Sequence, residues 1–501
     1  MNKQKQAKKK PTISSDLKDN QRFMEEKVGV GTSFDVGFRQ LTILKKEIQL
    51  YYLTGLCETP TIVELLKKLT DINETYPASA GRNKHKLTEI IGSHLVHQQV
   101  TKVSTMDEAV DQMLSGLIVI FMEDESEAFI VDVRTYPGRS PEEPDTEKVV
   151  RGSRDGFTEN IIENTALTRR RIRDERLRHE MIKVGERSKT DICISYLQDV
   201  ADHGLVKLIK DELKHIEIDG LSMADKTIEE FLVKQGFNPF PLVRYTERPD
   251  VASTHLLEGH VLIMVDTSPS MIITPTTYFH HVQHAEEYRQ SPAIGTFVRW
   301  VRFLGIFSSV FLLPFWLILV MEPDHLPAIL QFIGPNEEGN VPVVLQLIIA
   351  DIGIEFLRMA AIHTPTPLST AMGLIAAVLI GQIAIDVGLF SAEVILYVSI
   401  CAIGSFATPS YELSIANKLS RMLLIIITSI FGVKGMVIGF TIYILALSLT
   451  KSLNTPYLWP FIPFNAKALQ QIIFRVSVPL TKDRPSIVHP RNNYKQPTGK
   501  H

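Results

Sequence analysis

Cysteine is scarce: three in 501 residues, Cys57, Cys193 and Cys401, and they lie far apart. Such spacing excludes a disulfide framework and a cysteine-based zinc site. Net charge is only −3, so the chain as a whole has no strong pull toward nucleic acid. The first residues, MNKQKQAKKKPTISSDLKDNQ, are basic but carry no apolar h-region, so they are not read as a secretory signal. Charge is most conspicuously missing from residues 300 to 453, whereas the first 300 residues are rich in it. That asymmetry is read as a soluble portion followed by a membrane portion.

The charge-poor portion opens with WVRFLGIFSSVFLLPFWLILVM. Phe303 to Met321 is apolar apart from two serines. A bilayer-spanning helix needs about 20 such residues, and a soluble helix of that length would show a polar face. Further apolar runs follow at about 341–350, 371–389, 392–408, 419–432 and 435–450. Arg299 and Arg302 precede the first run, and the loop after it has acids but no Lys or Arg. The positive-inside rule then puts the N-terminal portion in the cytoplasm. Lys451, Lys467, Arg475, Lys482 and Arg484 put the C-terminus there too, which requires an even number of crossings, four to six.

The fold class expected is therefore an α/β soluble region of two subdomains followed by an all-α multi-spanning membrane domain. The boundaries are a disordered basic tail over 1–35, subdomains over 36–140 and 150–298, the membrane domain over 299–453 and a cytoplasmic tail over 454–501. The lysines of the first segment could touch anionic lipid, but a solvated tail is the simpler reading. In the first subdomain, FRQLTILKKEIQLYYLTGL reads as a strand and a chain reversal, and TIVELLKKL as an amphipathic helix. LSGLIVIFME and AFIVDVRTY read as a buried hairpin, and SPEEPDTEK as a boundary. In the second, a helix carries Phe157, Ile161, Ile162, Leu167 and Ile172 on its apolar side. Arg169, Arg170, Arg171, Arg173, Arg176 and Arg178 make a basic face, which is read as meeting acidic neighbours or lipid rather than nucleic acid. Strands at KTDICISYLQDVAD and HVLIMVDTSPS alternate with helices at HGLVKLIKDELKHI and EIDGLSMADKTIEEFLVKQ.

Two patterns invite a metal. Asp266, Ser268 and Ser270 spell D-x-S-x-S after a strand, which suits a hard cation, but Pro269 and the missing glycines favour a plain turn. His280 and His284 share a helical face with no third ligand nearby, which favours an interfacial segment. No metal or cofactor is expected. No nucleophile elbow, phosphate loop or paired catalytic carboxylates stand out, so no enzyme is expected either.

Ionisable residues inside a membrane are costly and point to function. Asp351, Glu355 and Arg358 fall at i, i+4 and i+7 of one helix face. They either compensate one another or line a wet path. Gln382 and Asp386 share a face in the next run, among Gly373, Gly381 and Gly388. The acids favour cations over anions, and a polar stripe among small residues suits a pore. Gly432, Gly435 and Gly439 supply a second tight packing face. The small residues Gly373, Gly381, Gly435 and Gly439 suggest homo-oligomeric packing.

Five long stretches occur in order over about 150 to 450: EKVVRGSRDGFTENIIENTALTRRRIR, PFPLVRYTERPD, LLEGHVLIMVDTSPSMIITPTTYFHH, IEFLRMAAIHTPTPL and GQIAIDVGLFSAEVILYVSICAIGSFATPSYEL. Together they resemble the A-subunit family of the spore germinant receptors. The resemblance implies a multi-pass protein of the spore inner membrane, oligomeric, with a second membrane subunit and an ion-conducting role early in germination. It carries over the spacing of Glu355 and Arg358. It departs at AIHTPTP, where His363 stands in place of the family's usual arginine, which implies a different trigger or partner set. Three functions are expected from it: a cation channel or channel subunit gated by the soluble region, a nutrient-sensing receptor subunit with conduction elsewhere, or a membrane scaffold.

Overall fold

The computed structural model describes residues 11–77, 84–94, 100–134, 152–323, 333–334, 340–363, 373 and 381–495. The boundary expected at SPEEPDTEK lies outside them, as does most of the 371–389 run. The chain forms two compact units: residues 1–234, 245–275 and 481–501 make the first, and residues 235–244 and 276–480 the second.

The first unit is α/β. It opens with helix α1 (Leu17–Lys27), capped by the Asp16 carboxylate accepting from Lys18 N–H. The expected disorder to residue 35 does not hold for residues 11–35, because Leu17 and Met24 are buried in the core. Strands β1 (Val36–Ile43) and β2 (Lys46–Leu53) form a hairpin. Leu44 and Lys45 turn it with φ of 47° and 71°. This left-handed pair matches the strand twist, and Asn73 braces it by accepting from Leu44 N–H and donating to Thr42 O. Then come α2 (Thr59–Thr75), α3 (Lys84–His94), β3 (Val100–Val103), α4 (Met106–Leu114), β4 (Ile118–Met122) and β5 (Ala128–Val131). The sheet order is β1-β2-β4-β5-β3. β4 is apolar at every position because both faces are covered. Val119 and Phe121 pack with Met24 and Met113, whereas Ile118, Ile120 and Met122 pack with Leu69 and Ile72.

The second half of this unit repeats the first. α5 (Ile161–Arg171), β6 (Leu177–Val184), β7 (Thr190–Leu197), α6 (His203–Lys214), α7 (Ala224–Val233), β8 (Arg244–Thr246), α8 (Pro249–Glu258), β9 (Val261–Val265) and β10 (Met271–Thr274) follow in the same element order. The strand order β6-β7-β9-β10-β8 is the same 1-2-4-5-3 pattern.

The expected arginine face is broken up by β6, which the run of charge concealed. Arg169 is buried against Asp35, with Nε and Nη2 at 3.0 and 2.9 Å. Arg171 pairs with Asp155, and Arg176 with Asp174 and Asp199. Arg178 is buried and donates to Lys27 O and Gln198. These are internal ties, of the acidic-neighbour kind. The expected C-terminal tail is also divided: residues 481–495 pack on this unit, with Ile487 and Val488 buried and Lys495 paired to Glu258.

Among its described residues the second unit is mainly helical, with a two-residue ladder, Lys451–Ser452 with Thr455–Pro456. After α9 (Tyr278–Val282) and α10 (Ala285–Arg289) comes α11 (Pro292–Met321), capped by Ser291 with Pro292 in its first turn. α12 is Val343–His363, so the 341–350 run is the first half of a longer helix that continues through its charges. A short piece, α13 (Ala384–Asp386), precedes α14 (Ala392–Phe406), capped by Ser391. α15 (Tyr411–Leu449) is two legs, because Gly432 adopts φ 59° and ψ −140° and reverses the chain. α16 (Ala466–Ile473) closes the unit. α11 and α15 are long and apolar enough to cross a membrane.

Candidate functional site

α12, α14 and the first leg of α15 begin or bend where the sequence supplies polar groups. Gln346 on α12 is buried, and its Oε1 accepts from Ser391 N–H at 2.8 Å, which holds the starts of α12 and α14 at one level. Gly305 of α11 and Gly404 of α14 touch through their backbones, and an added Cβ at Gly404 would overlap the Gly305 carbonyl. In the α15 hairpin, a Cβ at Gly435 would strike the Ile427 carbonyl, and one at Gly439 would press on Leu424 and Ile427. The glycines thus let the two legs lie together.

In this frame five ionisable side chains converge. Asp351 on α12 and Arg421 on α15 are each no more than 1% exposed. They pair through two parallel contacts: Arg421 Nε to Oδ2 at 3.2 Å and Nη2 to Oδ1. Arg421 Nη1 also donates to the Ser309 carbonyl of α11. One turn toward the start of α15, Lys418 Nζ donates to Glu355 Oε2 at 2.7 Å and to the Asp351 carbonyl at 3.3 Å. Arg358 completes the chain: its Nε donates to Glu355 Oε1 at 3.0 Å, its Nη1 to Ser414 Oγ at 3.3 Å, and its guanidinium lies over Tyr411. The charges alternate in space. A charge with no partner among apolar helices is strongly disfavoured, and here each acid meets two bases. The cluster holds two acids and three bases, an excess of one positive charge.

The expected trio Asp351, Glu355 and Arg358 is therefore brought together. Lys418 and Arg421 were missed, although NKLSR shows two bases at i, i+3 just ahead of an apolar run. Their presence removes the argument that these acids favour cations. Gln382 and Asp386 do not join the cluster, and both are exposed. Gly388 ends α13 with φ 72°, close to Asn340, so its role is a turn. Among the described residues nothing lies within 4 Å of where a Cβ on Gly373 or Gly381 would stand. Gly435 and Gly439 are occupied within the hairpin, so they no longer argue for contact with a second copy.

A second buried ion pair lies at the start of α11. Glu287 meets Arg299 Nε at 2.7 Å and Arg302 as well. These two arginines, expected as the basic flank of the first span, share one buried acid, which leaves the group one positive charge. The two metal patterns resolve into turns and caps: Asp266 accepts from Ile161 N–H, Ser268 donates to Asp225, and His280 and His284 cap α9 and α10. Among the described residues no three His, Cys, Asp or Glu side chains gather as a metal site.

A family profile for the Bacillus/Clostridium GerA spore germination protein matches residues 22–487. Stage V sporulation protein AF of Bacillus subtilis (strain 168) is 63% identical over 479 residues, 96% of each chain. Spore germination protein KA of the same organism is 30% identical, covering 98% of this chain and 90% of its own. Spore germination protein B1 is 28% identical over 97% and 99%. The crystallised N-terminal domain of the A subunit of the Bacillus megaterium spore germinant receptor GerK3 aligns with 54% of this chain and 99% of its own, at 25% identity and a TM-score of 0.43.

Proposed function

The chain belongs to the GerA family of spore germination proteins, and from that premise we propose that it is a multi-pass protein of the spore inner membrane that forms part of an ion path. The observation that carries the reading is the ion-pair cluster. Five ionisable side chains tie α12 to the first leg of α15 inside apolar helices, and ionisable groups placed there, expensive to bury even when paired, mark pathways and switches. α11 and α15 supply spans long enough for a bilayer. The Gly432 turn counts α15 as two crossings, and its tip lies beside Glu322 at the end of α11. With α12, α14 and one further crossing assigned to the 371–389 run from its sequence alone, six crossings result, and both chain ends fall on the cytoplasmic side. The complete unit is a homo-oligomer with a second membrane subunit, and its soluble part gates it rather than performing catalysis.

Gating then means exchanging partners within the cluster. In the arrangement described, every acid is occupied, so the cluster acts as a latch. Opening requires Lys418 to leave Glu355 or Arg421 to leave Asp351.

The test is monovalent ion flux from liposomes carrying the purified chain, wild type against Glu355→Ala, with cation and anion dyes read in parallel. Flux that Glu355→Ala changes several-fold without unfolding supports the ion path and gives the sign of the ion. Wild-type protein that is folded, oligomeric and silent, alone and with its partner subunit, rejects it. The second reading, a receptor A-type subunit that senses a nutrient, draws on relatives such as spore germination proteins KA and A1. A ligand-dependent thermal shift of the chain favours that reading.

A further inference from the structure

Residues 458–480 present an apolar surface that the proposed function leaves unused. Phe464, Val478 and Leu480 are 64–72% exposed, and Phe461 and Phe474 nearly half exposed. Isolated exposed apolar residues are ordinary, but a short segment this rich in them is not. The segment is held firmly. The end of α16 is tied to α11 and the chain just before it by five hydrogen bonds. Arg299 Nη1 donates to the carbonyls of Gln471 and Ile472 at 3.0 and 2.9 Å, and Trp300 Nε1 to that of Ile473 at 3.0 Å. Arg475 N–H donates to Thr296 Oγ1 at 3.0 Å, and its Nη2 to the Tyr288 carbonyl at 2.7 Å. Trp300 and Phe474 also meet edge to face.

These ties fix the segment's depth. From Trp300 to Met321 is about 32 Å at about 1.5 Å per helical residue, close to the ~30 Å hydrocarbon thickness. Residues 296–300 therefore stand at the boundary of the apolar layer, and α16 is pinned at that level. Lys467 and Gln470 are exposed on α16, and Trp300, half exposed, lies against Phe474 just past its end. A tryptophan at the helix end, an exposed lysine and protruding phenylalanines on the segment it holds are the composition of an interfacial segment. Further exposed apolar residues of α11 near this level, among them Phe297, Val301 and Leu304, extend the same surface.

We infer that residues 458–480 form an interfacial anchor, inserting Phe461 and Phe464 among the headgroups and upper acyl chains of the leaflet around α11. The occupant of this surface is phospholipid, not a second copy of the chain. The inference rests on the membrane reading above, so the experiment reads the two separately.

Nitroxide labels are placed at Phe464→Cys or Val478→Cys, at Phe307→Cys on the exposed face of α11, and at Met223→Cys in the first unit, in the full chain. The three native cysteines are buried. The protein is reconstituted in phosphatidylethanolamine–phosphatidylglycerol vesicles, and accessibility to oxygen and to a nickel chelate is measured. The expected oxygen-to-nickel ratio at 464 or 478 lies several-fold above that at 223 and below that at 307. A ratio at 464 and 478 equal to that at 223, with 307 lipid-exposed, overturns the anchor and leaves the membrane reading standing. Spin–spin broadening that disappears on dilution with unlabelled protein assigns the surface to a second copy and overturns the anchor too. An aqueous ratio at 307 overturns both.

Discussion

Arg421 is fully buried, and its value to the molecule depends on Asp351. Replacing it with methionine breaks the buried bidentate pair and leaves Asp351 only the more distant Lys418, at 3.6 Å, which costs up to about 3–5 kcal/mol. The double variant Arg421→Met/Asp351→Leu is expected to recover most of that loss, read as the midpoint of thermal unfolding in detergent. A double variant no better than the single one would show that the pair does not act as a unit. His179 is a different kind of residue. Burial holds its imidazole far below the ordinary value, at about 3, against a weaker opposite pull from Asp35. Its folded pKa is depressed, so the unfolded chain binds the extra proton. Its neutral form contributes fully above about pH 6.5, and stability declines between about 6.5 and 3, by up to about 1.4 kcal/mol per pH unit. His179→Gln is expected to flatten the pH dependence of the melting temperature in that window, measured against wild type at neutral and mildly acid pH. At this scale the sequence was half legible. Asp351, Glu355 and Arg358 share one helix and could be seen as a face. Lys418 and Arg421 reach them across 63 and 70 residues of chain, and no local period reports such a pairing.

Among the elements, the α15 hairpin depends most on one residue. Gly432 has a backbone conformation that L side chains avoid, and a Cβ there would stand against the Glu322 carboxylate. Gly432→Ala is expected to cost about 1–3 kcal/mol in strain and to loosen the tip. Thr428 and Met436 face each other across the legs, so the disulfide yield of Thr428→Cys/Met436→Cys should fall when Gly432→Ala is added. An unchanged yield would show that the turn tolerates a side chain. The hairpin was legible as two apolar runs separated by glycines. β6 was not, because Arg178 and Glu180 on it are satisfied by partners distant in sequence. The strands of the first sheet were easier, since an apolar run bounded by turn residues has few other readings. The Gly305–Gly404 crossing, on two helices distant in sequence, left no local signal.

For the whole molecule, the buried Arg169–Asp35 pair couples the two repeats of the first unit. Asp35→Ala strands a buried guanidinium, and a loss of about 3–5 kcal/mol is expected. Calorimetry of the full chain should then resolve two transitions for this unit where wild type gives one. A single, uniformly shifted transition would show that the repeats stay coupled by other contacts. The repeat itself escaped sequence reading. Its copies share element order and strand order, but β1 and β6 read VGFRQLTI and LRHEMIKV, and α4 and α8 read MDEAVDQML and PDVASTHLLE.

That divergence has a consequence for how the chain is made. Tandem copies of one topology are exposed to strand exchange while they emerge from the ribosome, because a hairpin of the first can dock into the half-built sheet of the second. Edge and hairpin strands with different side chains on matching positions pair poorly across copies. The unlikeness of the two halves thus protects nascent chains from building a misassembled sheet before the helical unit has been synthesised.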